Sequence, residues 1–137
     1  MIGGRLGVGM SDGTTGTETG AKRFAVVSLD EVPAVACPCG QARRGFTDFS
    51  GAPASVHVVD ISKDSRAHYH KKMTETYVVL EGEGTIELDG EVLELKPLMS
   101  VMIRPGCVHR ARPVDGGTLR ILNLAIPVFD PDDEWEV

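Results

Sequence analysis

Aromatics, cysteine, long apolar runs and positive charge are all scarce in this chain. Each scarcity removes a class of function. Lys and Arg number 14 against 20 Asp and Glu, a formal net charge of −6. A protein that grips phosphates needs a basic surface, so nucleic acid is not an expected partner and an anionic membrane surface is disfavoured. No apolar run approaches the roughly 20 residues of a membrane helix, and the opening MIGGRLGVGM is too broken by glycine to carry a signal-peptide core. A cytoplasmic location is the default expectation. Three cysteines cannot all pair within one chain, and two of them sit one residue apart. Helical periodicity is missing as well, since no stretch repeats apolar residues at helix spacing over several turns.

What the chain does have is glycine, 16 residues of it, with 8 prolines and a series of short β-like runs. Its 137 residues suit one domain with one core. Residues 1–22 are rich in Gly, Ser and Thr and read as a flexible tail, because they bury too little apolar surface to offset their ordering entropy. Met10 opens a more usual N-terminus. From residue 23 the pattern changes. Strands are expected over 24–29, 54–62, 66–70, 75–82, 84–89, 91–95, 100–104, 108–112 and 118–126, where Val, Ile, Thr and Tyr dominate. Asp89-Gly90 between two alternating runs is a hairpin signal, and Gly82 and Gly116 mark further turns. The expected fold class is all-β, a sandwich or barrel filling residues 23–137. An acidic C-terminal tail is expected over 127–137. In it Phe129 and Trp135 either anchor back onto the barrel or meet a partner subunit, or else the tail stays undocked in solvent.

The chemistry concentrates in HYHKKMTETYVVLEG. His68 and His70 are two apart and share one face of a strand. Glu75 follows after a short polar turn, and Tyr77 shares its face. Downstream, Pro105-Gly106-Cys107-Val108-His109 puts a third His just after a turn. Three imidazoles and a carboxylate form an N3O donor set for one divalent transition metal ion, whether Fe, Mn, Ni, Zn, Co or Cu.

These residues resemble the two motifs of the cupin family. His68, His70, Glu75 and Gly82 fall on the pattern G(X)5HXH(X)3–4E(X)6G, with Ser62 at the leading Gly. Gly106 and His109 fall on G(X)5PXG(X)2H(X)3N, with Leu98, Arg104 and Pro113 at the other fixed positions. The resemblance covers roughly residues 50–126. It implies a double-stranded β-helix, or jelly-roll barrel, with His68, His70, Glu75 and His109 as metal ligands and a homodimer as the assembly, strand 24–29 being apolar enough to pair. It implies a small-molecule ligand or substrate, and either a metal-dependent enzyme (dioxygenase, isomerase or lyase) or a non-catalytic binder of a sugar or organic acid. Fold likeness cannot choose between these.

Other residues carry weaker signals. Tyr77 is expected to point inward, as a catalytic hydrogen-bond donor or acid/base or as ordinary core. His57 reads first as a satisfied core residue. Cys37 and Cys39 lie in a CxC spacing without a second pair to complete a zinc site. They read as incidental, or as a metal-binding or redox thiol pair near the barrel mouth. Cys107 reads as a small buried apolar residue. Arg43 and Arg44 are expected as a solvated loop pair, with bidentate clamping of a substrate carboxylate or phosphate as the functional alternative. Arg104 is expected at the surface.

Overall fold

The computed structural model describes residues 22–137, so the segment expected to form a flexible tail lies almost wholly outside the described residues. Eleven strands form two antiparallel sheets. In chain order they are β1 (Val35–Cys37), β2 (Gly40–Gly45), β3 (Ser55–Ile61), β4 (His68–Tyr69), β5 (Thr74–Gly82), β6 (Gly84–Leu88), β7 (Glu91–Leu95), β8 (Ser100–Ile103), β9 (His109–Pro113), β10 (Leu119–Ile126) and β11 (Trp135–Glu136). One sheet has the order β1-β2-β3-β10-β5-β8 and the other β11-β4-β9-β6-β7. This is a jelly-roll barrel. Among the described residues no helix is long and apolar enough to cross a membrane.

Alternation builds the barrel. Along β3, Ser55, His57, Val59 and Ile61 are buried while Asp60 is exposed, and β5 and β10 alternate in the same way. The inward apolar residues Val59, Val79, Ile86, Leu95, Ile103, Leu119 and Ile121 meet in one core. Truncating one of the fully buried ones, such as Ile121 to Ala, costs about 2–5 kcal/mol. Gly82 closes β5 at φ +87°, and a Cβ there would lie 1.9 Å from the carbonyl oxygen of Thr118. Only glycine allows that close approach between the ends of β5 and β10.

Two expectations need correction, and a third had left alternatives open. Residues 24–28 are not a strand, and Leu29–Glu31 form a short 3-10 turn. The edge beside β2 is already taken by β1, so FAVVSL has no strand to pair with, and Phe24 is left 63% exposed. Arg43 and Arg44 lie in β2 rather than in a loop. Of the alternatives for the C-terminal stretch, the structure shows docking on its own barrel, since β11 pairs Trp135 with Tyr69 and Glu136 with His68.

Candidate metal centre

Two sheets supply the four expected ligands. His68 on β4 is the direct antiparallel partner of His109 on β9. His70 stands one residue beyond β4, and Glu75 reaches in from β5 of the opposite sheet. All four are buried, none more than 5% exposed. One potential ligand atom from each lies within 4.8 Å of the other three. Oε1 of Glu75 is 3.3 Å from Nε2 of His70 and 3.2 Å from Nε2 of His109.

Main-chain carbonyls set the protonation of the rings. Nδ1 of His68 bonds to the Arg66 oxygen at 3.0 Å, Nδ1 of His70 to the Asp133 oxygen at 2.6 Å, and Nδ1 of His109 to the Cys107 oxygen at 2.9 Å. A carbonyl only accepts, so each Nδ1 carries a hydrogen. In the neutral ring Nε2 is then a bare lone pair. Nε2 of His70, Nε2 of His109 and Oε1 of Glu75 are buried without a hydrogen-bond partner. Acceptors so close together need a positive charge between them, a proton or a metal ion. Outer carbonyls that fix the ring tautomer are the usual support of metal-ligating histidines, so the residues fit an ion.

In the absence of an ion, protons supply that charge. Burial alone would raise the Glu75 pKa, but hydrogen bonds from the His109 and His70 rings, with their positive charge, outweigh it and hold the carboxyl well below its ordinary range. Burial, with His109 next, lowers His68 to about 4, so its ring is neutral. The second carboxylate oxygen of Glu75 accepts from Nδ2 of Asn123 at 2.9 Å.

A turn beyond the barrel holds the ligand loop. The Asp133 carboxylate accepts the N–H groups of Lys71, Lys72 and Met73 at 2.8, 3.0 and 3.1 Å. These donors outweigh burial and keep the acid below its ordinary pKa. On the other side the Gly106 N–H donates to the His70 carbonyl at 2.7 Å, tying the second motif to the first. Sequence reasoning missed Asp133, since DPDDE reads as solvated charge. It also missed Asn123, although a lone amide at an inward position of LRILNLAI was a usable signal.

Tyr77 does point inward. It is 2% exposed, and its ring meets His109 edge-on with centroids 6.1 Å apart. Burial, reinforced by the charge of Glu75, pushes its phenol well above the ordinary value. Strand register sets Arg44, His57, Asn123 and Tyr77 side by side across four strands. His57 bonds to Ser55 at 2.9 Å, and burial, then Arg44, lowers its pKa to about 4. The guanidinium of Arg44 stacks on Phe129 at 3.8 Å, with a buried Nε that has no partner among the described residues. Arg43 points away and donates to the carbonyls of Val32 and Asp30 at 2.6 and 3.2 Å. Arg104 is exposed.

Comparisons with known proteins agree with this architecture. A profile of the cupin domain matches residues 55–125. An uncharacterised protein of Methanocaldococcus jannaschii is 29% identical over 76 residues, which are 56% of this chain and 61% of that protein. The match thus spans less than two thirds of that relative's length. A crystal structure of a protein from Planctomyces limnophilus is 42% identical with a TM-score of 0.74, covering 82% of this chain and 96% of that one. The ectoine synthase of P. lautus has a TM-score of 0.67 at 21% identity over 83% of this chain and 90% of its own, a likeness of fold alone.

Proposed function

The chain belongs to the cupin-domain family, and from that premise we propose that it is a metal-dependent enzyme acting on a small organic acid. One observation carries the reading. Nε2 of His70 and Nε2 of His109 converge on one Glu75 oxygen, at 3.3 and 3.2 Å, in a buried cluster whose three atoms have no conventional hydrogen-bond partner. His68, His70, Glu75 and His109 would hold one divalent transition metal ion. When bound, the ion supplies Lewis-acid or redox chemistry.

The remaining roles fall to the chain itself. Arg44 binds the acid group of the substrate, because a guanidinium facing the interior with an unused Nε–H is a ready partner for a carboxylate. Tyr77, protonated at neutral pH, donates a hydrogen bond to a substrate oxygen. Asn123 holds Glu75 in orientation. The alternative of a non-catalytic binding protein calls for apolar walls around the ion. The polar row of Arg44, His57, Asn123 and Tyr77 favours catalysis.

Elemental analysis of gently purified protein tests the metal, with about one transition-metal ion per chain expected. His109→Ala should lose most of it. A screen of small carboxylic acids for turnover and for thermal shift then tests the substrate class. Arg44→Gln should weaken acid binding at least tenfold, about the value of a charge-assisted hydrogen bond, while leaving metal content alone. Protein from metal-replete medium that carries no ion sinks the proposal. Metal-loaded protein that prefers neutral ligands sinks only the acid.

A further inference from the structure

Outside the metal centre, the most reactive constellation is Cys37-Pro38-Cys39-Gly40, the turn between β1 and β2. Cys37 is the direct partner of Gly40 across this turn, and the two thiol sulfurs lie 3.0 Å apart. The turn is held on both sides. Ser62 N–H donates to the Cys39 carbonyl at 2.8 Å and Arg66 N–H to the Pro38 carbonyl at 2.9 Å. Gly40 adopts φ +149°, where a Cβ would fall 2.1 Å from the Asp60 oxygen. The backbone therefore holds the two Cα–Cβ bonds close together across the turn.

We infer that Cys37 and Cys39 form a second reactive site, a dithiol that closes to an intrachain disulfide by exchange with a low-molecular-weight disulfide. The surroundings separate this from metal binding by the same pair. A tetrahedral zinc site takes three or four protein ligands, and among the described residues no third His, Cys, Asp or Glu is placed to join the two thiols on an ion. The 3.0 Å spacing puts the sulfurs in direct contact with each other. A structural staple is also a poor description. A ring closed over one intervening residue removes little entropy from the unfolded chain, so this bond is suited to exchange.

The two thiols are unequal. A hydrogen bond from the Cys39 thiol, followed by main-chain N–H groups and Arg44, outweighs burial and lowers Cys37 to about 7. The same hydrogen bond and burial raise Cys39 well above its ordinary value. Cys37 is then the attacking thiolate and Cys39 the resolving thiol. In the first step the Cys37 thiolate attacks one sulfur of RSSR, the S–S bond breaks, and RS− leaves. In the second, Cys39 gives its proton to a released RS− and attacks Cys37 Sγ, expelling the second RS−, which takes a proton from water. The protein loses two electrons, and RSSR is reduced to two RSH.

Oxidised glutathione is the probe, added near neutral pH to the full-length protein as purified. Intact mass should fall by two hydrogens, a peptide linking Cys37 to Cys39 should appear, and Cys107 should stay open to alkylation. Dithiothreitol should restore both thiols. Cys39→Ser should trap one glutathione on Cys37, and Cys37→Ser should react at least about tenfold more slowly. The wild-type measurement stands even if a variant folds poorly. Three thiols that alkylate alike after glutathione treatment overturn the inference. So does a stable glutathione adduct on wild-type protein without ring closure.

Discussion

The main-chain oxygen of Asp133 accepts the Nδ1–H of His70 at 2.6 Å, across 63 residues of sequence. The carboxylate of the same Asp133 gathers three N–H groups of the turn that follows His70. One residue thus fixes both the ring and the loop of a candidate ligand, and β11 just beyond it is paired to the strand of His68.

Asp133→Ala should therefore weaken metal binding roughly 10–100-fold, the usual effect of removing outer support from a ligand. It should also cost roughly 1–3 kcal/mol of stability, because N–H donors around buried Met73 lose their acceptor. Asp133→Asn keeps one acceptor oxygen and should fall between. Chelator competition and urea denaturation measure the two effects. Unchanged metal affinity in the alanine variant would reduce Asp133 to a loop fastener.

Acid should destabilise the barrel in a window set by His57. Its pKa is about 4 in the folded chain, lowered by burial and then by Arg44, against about 6.5 when unfolded. Above pH 6.5 both states are neutral and stability is full. As pH falls the unfolded chain takes the proton first, so stability is lost progressively down to about pH 4. The loss sums to about 3 kcal/mol. His68 adds a change of the same sign, so the contribution of His57 is read as a difference. Urea titrations of wild type and His57→Gln between pH 7 and pH 4 should diverge by about that amount, with the variant flatter. Parallel curves would mean that His57 is charged inside the fold.

The sequence was most legible where strict alternation coincided with a motif. His68, His70, Glu75 and His109 could be named because HXH and PG(X)2H are short-range patterns, and their strands alternate cleanly. The departure at Leu98 is visible in the backbone itself. This residue adopts φ +74° at the position where the motif has glycine. Leu tolerates that conformation poorly, and its 83% exposure spares it a packing clash as well. The illegible parts depend on distant partners. Strand β2 hides behind Cys-Pro-Cys-Gly and two arginines, and its strand character comes from pairing with β3. Residues 24–28 have the composition of a strand and no neighbour to pair with. Asp133 looks like solvated charge until the loop it closes is seen.

The outer face of the six-stranded sheet bears Met102, Ile126, Leu80 and Leu124, exposed by 64, 50, 41 and 37%. Strand register aligns Val56, Leu124, Thr76 and Met102 in one row. A contiguous apolar surface of this kind marks an interface, and a sheet face presented identically by two copies suits a two-fold dimer. Light scattering at micromolar concentration should return a dimer. Leu124→Lys should shift it to monomer with the fold intact. A wild-type monomer would end this reading.

Tyr77 carries the last prediction, and the argument for it is geometric. If Glu75 is a metal ligand it faces the ion, and strand alternation turns Tyr77 to the same side. Its ring lies edge-on to His109, a second candidate ligand. Burial and the Glu75 carboxylate keep the phenol protonated, so its part is that of a donor, either a hydrogen bond to a substrate oxygen or a proton to a leaving group. It is less suited to abstract a proton. Tyr77→Phe keeps the ring and deletes only the hydroxyl. Metal content and thermal midpoint should hardly move, while turnover of an identified substrate should fall by roughly 10²-fold or more, the typical contribution of a positioned acid. The split between kinetic constants then distinguishes the two donor roles. A fall in kcat with KM unchanged means that the hydroxyl acts in the transition state, whereas a rise in KM alone means that it only helps to bind. Full activity in Tyr77→Phe would return the residue to core packing and leave the ligand cluster and Arg44 to account for the chemistry.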